Sequence, residues 1–239
     1  ARIKRGPPVF ILPAMPILAL ETATEACSVA LMLADGRVLS RFEHAPRLQT
    51  QLLLPMVDEL LLEAGITLRD LDAVAYSRGP GAFTGVRIAA AAAQGFAFGL
   101  NLPVLALSSL QVLAQHVHRL TGESRVLAIF DARMDEVYAG AYALRDGLMQ
   151  PLLPDGLYSP EKLPSLPGGA WFMAGNGCNL RDRFPAHVAV KGEMADVHPH
   201  AWDLAVLAAA AFARGEAQDA EHALPVYLRD EVWQKLPGR

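Results

Sequence analysis

Apolar positions along the chain follow two periodicities, one of strand length and one of helix pitch. Residues 17–22 and 27–33 are largely apolar, are matched far downstream by residues 126–131 and 137–144, and read as strands. Shorter runs at 73–76, 103–107 and 171–174 predict three more strands. Helical spacing occurs at Leu53, Met56, Val57, Leu60 and Leu61 within residues 51–64, which Gly65 ends. Pro55 lies one turn inside, so this helix starts with a kink or begins near Leu54. Thr67 and Asp70 match a capping box, residues 86–100 form an Ala-rich helix, Ser108 caps a helix over 109–117, and 202–214 is an apolar helix. Residues 151–170, dense in Pro and Gly, read as loop with at most one short helix. Strands alternating with helices place the chain in the α/β class.

The stretch ILALETATEACSVALMLADG, residues 17–36, aligns with VLAIFDARMDEVYAGAYALRDG, residues 126–147, once two residues are inserted. In both, an apolar run ends at an acid, Glu21 or Asp131, and a short polar turn leads into a second strand closed by Asp-Gly. Gly accepts the positive φ of a tight hairpin turn, so Asp35-Gly36 and Asp146-Gly147 are hairpin signals. The repeat implies duplication and two lobes. The first spans 15–107 and is joined by the helix at 202–214; a reduced second lobe spans 108–201, and a tail follows at 215–239.

Composition narrows the picture. With 52% hydrophobic and 19% charged residues among 239, and a mean hydropathy of +0.23, the chain excludes disorder and has material for a large core. No Asp, Glu, Lys or Arg lies between Arg87 and Arg119, but Gly95, Gly99, Asn101 and Pro103 break that run below the roughly 20 continuous apolar residues of a membrane span. Residues 1–14 are basic and Pro-rich and precede Met15, which marks them as a leader or added segment. Setting them aside removes three cations and no acid, moving the formal charge from −4 to −7. That leaves no basic field for binding nucleic acid unaided. Cys27 and Cys178 are too few for a disulfide framework and suit buried reduced thiols in the cytoplasm.

Candidate chemistry gathers in the loop at 77–87. Its Gly79-x-Gly81-x-x-x-Gly85 spacing is neither a dinucleotide fingerprint nor a P-loop. Two readings stand: a cradle of backbone amides for an anion, with Thr84 capping the helix and Phe83 exposed, or a tight turn under a packed helix. The helix behind it is small on all faces, which predicts a second neighbour beside the sheet. Paired with the helix at 51–64 it would make an apolar surface for a partner or a second copy. His116 with His118, and His198 with His200, lack the spacing of a helical metal pair and read as surface or capping residues. Glu21 and Asp131 are candidates to hold Mg²⁺ through water or act as a base, or else are turn carboxylates capping amides.

Five stretches, ILALETATEACSVAL, SRGPGAFTGVRIAAAAAQGFA, FDARMDEVYAG, AGNG and PVYLRDEV, run in this order from Pro16 to about Val232. Together they resemble the TsaB (YeaZ) family, partner subunits in making the threonylcarbamoyladenosine modification of tRNA. The resemblance implies an actin-like, Hsp70-like (ASKHA) two-lobe α/β fold shared with TsaD, the paralogue that transfers threonylcarbamoyl to adenosine 37 of tRNAs reading ANN codons. TsaD carries a metal-binding His-x-x-x-His where this chain has Ser108-Ser109-Leu110-Gln111-Val112, so the resemblance implies neither catalytic residues nor metal ligands here. It implies a cytoplasmic scaffold that pairs with TsaD, recruits TsaE, can form a homodimer, and meets tRNA only within the complex. No cofactor is implied beyond ATP or ADP with Mg²⁺ at the junction with TsaD, near Gly79, Pro80, Gly81, Phe83, Thr84, Gly85 and Arg87. The helix pair would present Leu53, Met56, Val57, Leu60, Leu61, Ala89, Ala92, Ala93 and Phe96 to the partner. A small-molecule kinase of the same fold with Asp131 as base, and a metallopeptidase-like hydrolase, are the alternatives.

Overall fold

Each Asp-Gly step turns a hairpin. Gly36, at φ 82°, lies between β2 (Ala26–Met32) and β3 (Val38–His44), and Asp146-Gly147, both at positive φ, joins β7 (Glu136–Arg145) to β8 (Leu148–Tyr158). Arg145 pairs with Leu148, so the second turn has two residues, the tightest hairpin available. The computed structural model describes residues 15–229; the predicted leader at 1–14 and the end of the tail lie outside them.

The two sheets repeat one topology. In the first, β1 (Ile17–Glu21) pairs antiparallel with β2 and parallel with β4 (Ala73–Gly79), and β5 (Val104–Ser108) follows β4, giving the order β3-β2-β1-β4-β5. In the second, β6 (Arg125–Arg133) pairs antiparallel with β7 and parallel with β9 (Trp171–Ala174), and β10 (Val190–Met194) follows β9, giving the mirror listing β10-β9-β6-β7-β8. The duplication read from residues 17–36 and 126–147 therefore extends to whole five-stranded sheets, arranged as in the actin-like two-lobe fold.

Helices cover the first sheet on both faces. α1 (Gln49–Ala64) and α2 (Phe83–Leu100) pack over Leu18, Leu20, Val29, Leu31, Val74 and Tyr76, while α4 (Ala201–Ala213) packs over Ile17, Ala19, Ala30, Met32, Ala73 and Ala75. Burial on both faces is why β1 and β2 are apolar at nearly every position. The second sheet has one covering helix, α3 (Ser109–Thr121), over Val126, Ala128, Phe130 and Tyr142. Its other face is closed around Trp171 by Leu163, Val188 and Cys178, the last in a 3-10 helix at Asn176–Arg183, in place of further α-helices, which is the reduction expected of the second lobe. β5 passes into α3 with no intervening loop, and Ser108 accepts the amides of Leu110 and Gln111 as its cap.

Several expectations are corrected. β3 and β8 are the second arms of the two signalled hairpins, for which the sequence reading set no bounds, and β10 had no signal; β8 runs into the stretch read as loop. Pro151 and Pro154 are tolerated there because β8 is a sheet edge, where a missing amide donor breaks no ladder. α1 runs unbroken from Gln49 with Pro55 inside it, so it does not begin near Leu54. α2 begins at Phe83, behind Ala82, with no side-chain cap; Thr84 sits within its first turn and does not cap it. By length and composition alone α2 is apolar enough to cross a bilayer, yet one face of it is packed on the first sheet.

Candidate functional site

The predicted glycine loop is sealed against the first turn of its own lobe. The hydroxyl of Thr22 donates to the carbonyl of Gly85 at 2.7 Å, and the amide of Ala82 donates to the carbonyl of Ala23 at 2.7 Å. A Cβ on Gly81 would strike the Ala23 carbonyl, and one on Gly85 the Thr22 carbonyl. The glycines thus serve close approach of two backbones, the turn reading of the loop. Gly79 and Pro80 are buried, whereas Phe83 and Thr84 stand exposed at the start of α2. Arg87 lies 3.2 Å over the Phe83 ring and 4.9 Å from the Tyr227 ring, an arginine held between two aromatics.

Glu21 is wholly buried beneath this loop. Its carboxyl accepts from the Ser77 hydroxyl and from the Ala23 amide at 2.7 Å. Burial raises its pKa to about 7, and the hydrogen bonds from Ser77 and Ala23 oppose that rise without cancelling it. Nearby, burial and then the Glu21 charge push the Cys27 thiol up to about 12, which leaves it an unreactive core residue. In the second lobe Asp131 accepts the Arg133 amide at 2.7 Å and sits 3.6 Å from the Arg133 guanidinium. That is the geometry of the turn-carboxylate reading.

Residues 224–229 form a strap from the first lobe to the second. The Tyr76 hydroxyl donates to the Leu224 carbonyl at 3.1 Å and the Val226 amide to the Arg78 carbonyl at 2.8 Å. At the far end Arg229 pairs with Glu136 at 2.7 Å and donates to the Ala132 carbonyl at 3.2 Å. A cavity of about 160 Å³ lies on one side of the strap, between Gly81, Phe83 and Tyr138. Another, of about 260 Å³, lies on the other side, between Arg78, Ser108, Gln111, Tyr142 and Asp155.

Three side chains of that second cavity form a cluster which sequence reasoning missed. Ser108 donates to one Asp155 oxygen at 2.5 Å, and the Tyr142 hydroxyl donates to the other. Burial raises the Asp155 carboxyl above the usual carboxylate range and lifts Tyr142 well above its ordinary value. Room for the carboxylate comes from Gly140, where a Cβ would lie 2.5 Å from it, and from register shifts of β7 against β8 at Ala139 to Tyr142.

His116, His200 and Asp203 also converge, with donor atoms within 4.8 Å of one another, although the spacing of the histidines gave no sign of it. Their chemistry does not suit a metal. Arg119 donates to both oxygens of the fully buried Asp203 at 2.9 and 2.8 Å, and His116 Nδ1 lies 3.2 Å from one of them. His200 Nδ1 already accepts the Trp202 amide as the cap of α4, so its other nitrogen carries the proton. Burial and then the neighbouring His116 push His200 down to about 4. The set is an ion pair between α3 and α4 with imidazoles around it.

The helix pair needs the largest correction. Leu53, Met56, Val57, Leu60, Leu61, Ala89 and Ala93 are buried in the chain's own core, because the apolar stripe of each helix faces the sheet. Ala92 and Phe96 are half-buried at its margin. What the pair leaves open is the opposite face, where Leu54, Leu62 and Phe98 are 52%, 84% and 66% exposed beside Ala91, Gly95 and Gly99.

Residues 43–235 match the family model described as TsaD, tRNA N6-adenosine threonylcarbamoyltransferase. The tRNA threonylcarbamoyladenosine biosynthesis protein TsaB of Escherichia coli is 43% identical over 234 residues, covering 94% of this chain and all of that protein. Its namesake from Haemophilus influenzae is 38% identical over 236 residues, covering 94% and 98%. The solved structure of YeaZ from Pseudomonas aeruginosa superposes with a TM-score of 0.86 at 51% identity, covering 90% of this chain and all of that one.

Proposed function

This chain belongs to the TsaB family of tRNA threonylcarbamoyladenosine biosynthesis proteins, and from that premise we propose that it is the non-catalytic scaffold of the modifying complex. It pairs with a TsaD-type transferase, recruits TsaE, and meets tRNA only in that assembly, in the cytoplasm. The modification it supports is threonylcarbamoyl transfer to adenosine 37 of tRNAs reading ANN codons.

The observation that carries this reading is the open, uncharged face of α2. On α2 the exposed Ala91, Gly95, Phe98 and Gly99 are small or apolar, so another helix can approach closely, while Leu54 and Leu62 of α1 are exposed among Gln51, Asp58, Glu59 and Glu63. A TsaD-type paralogue of the same fold offers such a helix, and a second copy of this chain is the competing occupant. ATP or ADP with Mg²⁺ binds at that junction, near Phe83, Thr84 and Arg87, the part of the glycine loop left accessible. The non-catalytic role is supported by the start of α3, which reads Ser108-Ser109-Leu110-Gln111-Val112, without paired imidazoles.

Reconstitution tests the proposal. The purified chain alone makes no modified adenosine, and adding it to TsaC, TsaD and TsaE restores synthesis. Full synthesis by those three proteins without it overturns the scaffold role.

A further inference from the structure

The cavity between the lobes, lined on one side by Val226 and Leu228 of the strap, holds a carboxylate and a guanidinium, Asp155 and Arg78, that form no ion pair with each other. Asp155 has no cation within hydrogen-bonding or ion-pair distance among the described residues; its two oxygens take only the hydroxyls of Ser108 and Tyr142. Arg78 lines the same cavity with its side chain exposed and in no ion pair among the described residues. A buried carboxylate held by hydroxyls alone is costly, and a neutral acceptor would hold the same hydroxyls at less cost. The chain nevertheless makes room for it, with a glycine at 140 and a shifted strand register beside it.

Each Asp155 oxygen accepts one hydrogen bond and keeps capacity for another. Gln111 spends its amide nitrogen on the Met149 carbonyl at 2.9 Å, which leaves its side-chain oxygen as a further acceptor at the rim. At about 260 Å³ the space falls just below the roughly 300–1,000 Å³ of sites for drug-sized ligands, so its occupant is small. We propose that this cavity binds a small zwitterion of the free amino acid class, its ammonium group on Asp155 and its carboxylate on Arg78.

Calorimetric titration of the full chain with the free L-amino acids, one at a time, tests this without any partner protein. At least one binds with one-to-one stoichiometry, and its N-acetyl and methyl-ester derivatives bind about tenfold or more weakly, the usual weight of a lost charge-assisted contact. Asp155→Asn and Arg78→Ala each weaken the free amino acid by a similar factor. Arg78 is exposed, so its variant stays folded and keeps the test decisive even if Asp155→Asn is unstable. No binding by any amino acid at millimolar concentration overturns the proposal. So does an N-acetyl derivative that binds as tightly as its parent, or an Arg78→Ala chain that binds unchanged.

Discussion

Thr22 donates its hydroxyl to the main-chain carbonyl of Gly85 at 2.7 Å, and a side chain at Gly85 would run into the Thr22 carbonyl in return. Gly85→Ala therefore forces two backbones apart and destabilises the chain by roughly 1–3 kcal/mol. Gly95→Ala meets nothing within 4 Å, lies inside α2, and stabilises by about 0.5–1 kcal/mol. Urea denaturation of both variants reads the contrast, and equal effects would refute the packing role given to Gly85.

Glu21 makes stability depend on pH. With a folded pKa near 7 against 4.5 when unfolded, the native state holds its proton more tightly across that window. The contribution is complete below pH 4.5 and lost as pH rises through 7, a change of about 3 kcal/mol by linkage. Glu21→Gln, which keeps the shape without the charge, flattens this slope. Thermal midpoints measured from pH 4.5 to 8 should diverge most at the alkaline end, with the variant the more stable.

On the helix pair, two kinds of substitution separate docking from folding. Phe98→Glu and Leu62→Glu place a charge on the open face and weaken association with the TsaD-type partner while the melting temperature barely moves. Leu60→Glu buries an unpaired charge and costs about 3–5 kcal/mol of folding free energy. Size exclusion with the partner, alongside circular dichroism, distinguishes them. Association unaffected by Phe98→Glu would move the interface elsewhere.

Asp203 depends on Arg119. Removing the guanidinium with Arg119→Ala leaves the fully buried Asp203 carboxylate with His116 alone beside it and costs up to about 3–5 kcal/mol. Arg119→Ala combined with Asp203→Asn recovers much of that loss, because no charge is then left without a partner. A double-mutant cycle in chemical denaturation measures the coupling.

Local signals made much of the fold legible. Asp35-Gly36, Asp146-Gly147 and the Ser108 cap each declare their structure within a few residues. The extents of β3 and β8, and β10 altogether, were not legible, since edge strands are half-exposed, admit Pro151 and Pro154, and lose the continuous apolar pattern of β1 and β2. The residues first assigned to a partner surface were picked out by a pattern with another cause: the apolar stripe of a helix marks the face turned to its own sheet, so Leu60 and Ala93 stood out although they are buried, while the exposed Leu62 and Phe98 lay among solvent-facing positions. The cluster of Asp155, Tyr142 and Ser108 depends on a shift in strand register, and the meeting of His116 with His200 depends on how α3 and α4 pack. Neither leaves a trace in residue spacing.

Because α4 covers one face of the first sheet and Gln218 bridges to Val104, the lobe that begins the chain is completed by its last quarter. During synthesis the strands at 17–32 and 73–79 leave the ribosome long before residues 201–213, and until then Ile17, Ala19, Met32 and Ala75 have no cover. The second lobe is continuous in sequence and can close while the first still waits. Order of emergence and order of completion are thus reversed, and the nascent half-sheet is the species most exposed to aggregation or to capture by a chaperone.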